Sequence, residues 1–206
     1  MRASHLAIGS ERTWADLVGC VASVVDACVC LTMLFLPSTR ATGEWLCVML
    51  IDPIACIIVY WALYRRLDDI RPIWAELGFY LLISGTLFLA FQNVLQESAT
   101  LNLRTLNYFT ANDFDIVLGL LVTFTLPFGL AIYGWLIASS PPLRRWLGFM
   151  MCVQAVLLLI AFGSFAFPRL SDFAIAELCA VYAVILSVSK AVWFLSPVAG
   201  SKYAGR

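Results

Sequence analysis

Histidine is almost missing from this chain of 206 residues: the single imidazole, His5, stands in the N-terminal tail. Haem proteins with paired axial histidines, HExxH metallopeptidases and His-cluster zinc or copper sites all need imidazoles inside the fold, so those classes are excluded. Charge is scarce as well. Asp, Glu, Lys and Arg make up 13% of the residues, about half the roughly 25% of a soluble domain. Thirteen basic side chains balance thirteen acidic ones, which leaves no electrostatic footprint for nucleic acid. The chain has no GxxxxGK[ST] phosphate loop, no nucleophile elbow and no CxxC pair, since Cys28 and Cys30 are separated by Val29 alone. Neither a cofactor nor a metal is expected.

What the chain does have is apolar length. Hydrophobic residues make up 62% and the mean hydropathy is +0.91. An apolar stretch of about 20 residues crosses a hydrocarbon core of roughly 30 Å as a helix, and six such stretches are present: 14–36, 45–64, 73–95, 114–138, 146–167 and 173–195. Proline, glycine and charge punctuate the gaps between them. Strands of a membrane barrel would alternate polar and apolar residues, so the expected fold is all-α, a six-transmembrane-helix bundle forming one membrane domain over 1–206. The first stretch is too long for a signal-peptide core and no small-residue cleavage site follows it, so it is expected to be retained. The longest piece outside the spans is the outer loop 96–113. Within it Leu101, Leu103, Leu106, Tyr108 and Phe109 are too apolar for a solvated loop and should lie on the membrane surface or cover the bundle mouth.

Orientation follows the distribution of Lys and Arg. The N-terminal tail, the second and fourth loops and the C-terminal tail hold nine of the thirteen, whereas the remaining loops hold Arg40, Arg104 and Arg169. Both termini are therefore expected on the cytoplasmic side. Trp14, Trp61, Trp74, Trp135, Trp146 and Trp193 fall at the same predicted interface, where indole rings anchor at headgroup level.

An ionisable group deep in a bilayer costs about 2.5–3.5 kcal/mol even on the insertion scale, so each one calls for a reason. Asp26 falls near the middle of the first span, on a side shared with Gly19, Ser23, Ala27 and Cys30. Small residues at this spacing let helices approach, which turns Asp26 toward the bundle. Asp52 lies near the middle of the second span, directly before Pro53, whose missing amide frees the carbonyl of Met49. Pro127 frees the carbonyl of Thr123 in the fourth span in the same way. Lys190 stands about five residues, roughly 7.5 Å, from the inner end of the sixth span. It can snorkel to the headgroups or pair with Asp26 or Asp52. Glu177, in the outer third of the same span, points about 140° away from Lys190 around the helix axis. The seven cysteines all fall within spans and read as small apolar packing residues.

Three functions compete. The first is a non-catalytic membrane subunit or scaffold, whose partners besides the lipid bilayer would be other membrane subunits docked on small-residue helix faces. The second is a small secondary transporter or proton-coupled carrier using Asp26, Asp52 and Lys190. The third is an intramembrane enzyme acting on a lipid or isoprenoid by acid catalysis. The absence of catalytic motifs weighs against the enzyme.

Overall fold

Hydrocarbon offers no water to backbone amides and carbonyls, so each long apolar run must satisfy its own hydrogen bonds, and a helix does so within one segment. The computed structural model describes residues 2–35, 43–100, 112–139, 145–163 and 173–195, with side chains described for most of them. These residues form six α-helices: α1 Arg2–Phe35, α2 Gly43–Leu67, α3 Pro72–Thr100, α4 Asn112–Ser139, α5 Arg145–Gly163 and α6 Phe173–Leu195. No strand occurs among the described residues. The fold is an all-helical bundle.

Helix ends and apolar ends differ. α1 starts at Arg2, twelve residues before the expected span at Trp14, and α3 runs on to Thr100 through polar Gln96, Glu97 and Ser98. Hydropathy marks where a chain leaves hydrocarbon; the backbone ladder continues beyond that point as long as the residues tolerate helix. The expected loop 96–113 is shortened accordingly, and the apolar stretch 101–109 falls outside the described residues. Between α2 and α3 the turn is tight: the amides of Ile70 and Arg71 both donate to the carbonyl of Leu67. Pro72 then occupies the first helical position, where its missing amide costs nothing.

Segments of four helices are long and apolar enough to cross a membrane: Trp14–Thr32, Pro72–Leu95, Val117–Ser139 and Leu178–Leu195. The described part of α2 carries Asp52, Arg65 and Arg66, and Arg145–Ala161 of α5 is shorter. Helices of this kind fit an integral membrane protein. The distribution of side chains agrees. Large apolar groups such as Phe35, Ile73, Phe149 and Leu195 face outward, while Ser23, Asp26, Thr86, Gln154, Ser187 and Lys190 are buried.

Each helix packs on its neighbours in sequence, and α6 packs back on α1, so the six close into a ring. Lipid tails are as apolar as leucine, so the ring must be held by close packing and polar contacts. Glycine supplies the first at two seams. A Cβ on Gly85 of α3 would stand 2.8 Å from the amide nitrogen of Leu126 on α4, and one on Gly148 of α5 would stand 2.5 Å from the carbonyl oxygen of Gly134 on α4. Tyrosines supply the second: Tyr133 donates to the carbonyl of Ala75 at 3.2 Å, and Tyr182 to that of Met150 at 3.1 Å. Ser23, Thr32, Thr123 and Thr125 satisfy their hydroxyls on carbonyls four residues back in their own helices, the usual way for hydroxyls to sit in a helix interior.

Five of the six tryptophans expected at the inner interface are exposed, from Trp146 at 37% to Trp14 at 66%. Trp193 is buried instead. It is 1% exposed and lies under the guanidinium of Arg66, 4.3 Å from its ring centroid, so it is a packing residue of the ring interior.

Candidate functional site

The ring surrounds a partly open cavity of about 130 Å³, in which polar groups stand among apolar ones and to which every helix contributes: Asp26 from α1, Asp52 and Tyr60 from α2, Asn93 from α3, Leu130 from α4, Gln154 from α5 and Lys190 from α6. At ~30 Å³ per molecule in the liquid, this is room for about four waters. Helix periodicity explains the convergence. Asp26 and Cys30 are one turn apart on α1, Asp52, Cys56 and Tyr60 are successive turns of α2, and Ala183, Leu186, Ser187 and Lys190 recur at three and four residues along α6, so each set lies on one face.

Asp26 is the best-supported side chain in the cavity. Its Oδ2 accepts from Ser187 Oγ at 2.5 Å and from Lys190 Nζ at 3.4 Å. Its Oδ1 accepts from Cys56 Sγ at 3.5 Å and, more distantly, from Cys30 Sγ at 3.9 Å. Four donors match the approximately four lone-pair positions of a carboxylate. Asp26 and Lys190 are each 3% exposed, so this is a buried ion pair. Lys190 reaches across to α1, with the Tyr60 ring 5.8 Å from its ammonium, and its arm does not run to the headgroups. Its partner is Asp26.

Asp52 differs. A ligand oxygen of Asp52, one of Asp26 and the sulfur of Cys30 all lie within 4.8 Å of one another, yet the buried Oδ1 of Asp52 has no hydrogen-bond partner. The amide oxygen of Gln154, whose residue is 6% exposed, is likewise unpartnered. Both line the same cavity. With Asp26 and Lys190 cancelling, an ionised Asp52 leaves one negative charge in excess, and the two oxygens without partners are both acceptors.

Two carboxylates and a thiol this close resemble a divalent metal site in donor type. Lys190 opposes that role, because its ammonium already occupies Asp26 and would repel a dication a few ångströms away.

Pro53 lines the cavity beside Asp52. Pro127 is fully buried, but the cavity takes Leu126 and Leu130 from α4, so the two helix-interrupting prolines do not share one site. Glu177 belongs to α6, and its side chain lies outside the described residues. Cys30 and Cys56, read from sequence as apolar packing, are thiol donors to Asp26.

Sequence reasoning passed over Gln154, Ser187 and Arg66. The first two are uncharged, and only the closed ring shows that they face Asp26 or the cavity. Arg66 was counted for orientation alone. Its Nε donates to Asp16 at 2.5 Å, and its two terminal nitrogens donate to the carbonyls of Trp193 at 3.3 Å and Phe194 at 2.9 Å. Those are carbonyls of the last turn of α6. One guanidinium thus caps α6 and joins it to α1 and α2. The signal available in the sequence was a basic residue one turn beyond Trp61 and Ala62, at an end where α6 also stops.

The chain matches no family model, no curated protein and no solved structure.

Proposed function

We propose that this protein is a six-span membrane carrier for a small solute, with both termini on the cytoplasmic side and the central cavity as its binding site. The observation that carries the reading is the asymmetry between the two aspartates. Asp26 is saturated by four donors, while Asp52 presents a buried oxygen with no partner to a cavity that all six helices line. A polar interior serving architecture alone would be expected to pair every group, because each unpaired buried acceptor costs about 1–3 kcal/mol. A charged, incompletely satisfied centre within the membrane depth is instead the usual mark of a substrate or ion pathway.

The scaffold reading draws its main support from small-residue helix faces. Gly19, Gly78, Gly85, Gly129, Gly134 and Gly148 all meet neighbouring helices of the same chain, so these faces are consumed inside the ring. The outward surface is built from large apolar side chains suited to lipid.

Cys56 lines the cavity and is a native reporter. With all other cysteines replaced by alanine or serine, a membrane-impermeant thiol reagent applied to each side of sealed vesicles should label Cys56. The ratio of labelling from the two sides should change in Asp52→Asn. Labelling from neither side, or from one fixed side in both proteins, would remove the carrier reading.

A further inference from the structure

We infer that the cavity binds one small monovalent cation, held between the carboxylate of Asp52 and the amide oxygen of Gln154. The inference rests on the carrier reading for its purpose but on separate observations for its chemistry. Gln154 is not acidic and comes from α5, across the ring from Asp52 on α2, yet it too is buried with an unpartnered oxygen in the same cavity. A proton would remove the excess charge and turn Asp52 into a single donor, leaving the cavity without an occupant that both acceptors share. A water could donate to both oxygens but would leave the excess negative charge uncompensated. A cation does both at once, and charge and carbonyl oxygens are the donors that hard cations prefer.

Charge arithmetic sets the valence. The cluster holds Asp26, Asp52 and Lys190, so with all three ionised a single positive charge neutralises it and a dication overshoots. Size agrees: about 130 Å³ accepts sodium, potassium or ammonium with a few waters. Thr86 and Asn93, which also line the cavity, offer further oxygens. Lys190 is the tethered competitor. Its ammonium shares the cavity with Asp52, so occupation by a free cation keeps Lys190 on Asp26, and departure of that cation leaves Lys190, among the described residues, as the positive charge facing both carboxylates.

The test is thermal unfolding of the purified full-length protein in sodium, potassium, ammonium or choline chloride at equal ionic strength. At least one small cation should raise the midpoint above that in choline, saturably, as expected for a ligand of the folded state. Gln154→Leu should weaken the apparent affinity for that cation about tenfold or more, the effect of removing a hydrogen-bond-strength contact to a charged group. The same cation should slow alkylation of Cys56 in the otherwise unaltered protein, a measurement that does not depend on the variant folding. Equal midpoints and equal alkylation rates in all four salts would overturn the inference, as would a stabilisation that Gln154→Leu leaves intact. If Cys56 still labels alternately from the two sides in that event, the carrier reading stands without a cation.

Discussion

A buried ion pair is weak evidence of stability but strong evidence of dependence, because removing one partner leaves the other charged and unpaired. Asp26 and Lys190 are such a pair. Asp26→Asn is therefore expected to cost about 3–5 kcal/mol and to lower the yield of monodisperse protein in size-exclusion chromatography. Combining it with Lys190→Met should recover most of that yield. Asp52→Asn is the contrasting case. It removes a charge that no side chain of the protein holds in a hydrogen bond at Oδ1, so folded yield should be unchanged or improved while the cavity loses its ligand. Equal loss of yield in Asp26→Asn and Asp52→Asn would show that the two acids share the load and that their division of labour is wrong. The sequence made the mid-depth acids and Lys190 conspicuous, since charges stand out in apolar runs. It could not choose Asp26 over Asp52 as the partner of Lys190, because that choice depends on which helices meet when the ring closes.

Elements are held by contacts of another kind. At the α4–α5 seam a Cβ on Gly148 would meet the carbonyl oxygen of Gly134 at 2.5 Å and the amide nitrogen of Ala138 at 2.6 Å, and backbone atoms cannot step aside as a flexible side chain can. Gly148→Ala should force the two helices apart and lower the thermal midpoint in detergent, whereas Gly119→Ala, which meets only Gln92 at 3.8 Å, should leave it nearly unchanged. Arg66 acts at the end of α6. Arg66→Ala removes the donors to the carbonyls of Trp193 and Phe194 and unseats Asp16, so amide exchange should accelerate in the last turn of α6. Arg66→Lys should not restore protection, since an ammonium lacks the planar fork that spans two carbonyls and stacks on Trp193. Retained protection in Arg66→Ala would mean that packing alone holds that turn. Helix positions were legible from hydropathy because membrane helices are written as apolar runs. The seams were not, since a glycine that admits a neighbouring backbone and one that merely faces lipid look alike in one dimension.

For the molecule as a whole, the proposed six-span topology implies a sidedness that labelling can read. On a cysteine-free background, a cysteine at position 201 should react with impermeant reagent from the cytoplasmic side, and one at position 98, near the far end of α3, from the opposite side. The reverse at either position would overturn the proposed topology. Ring closure by α1 and α6 also has a consequence in time. Asp26 and Lys190 are 164 residues apart, and at about 5–20 residues per second of synthesis roughly 8–33 s pass between the ribosome's addition of the acid and its addition of the base that answers it. Throughout that interval the first helix is without its counter-ion. A nascent chain that stalls before the sixth helix therefore leaves Asp26 without the base that answers it.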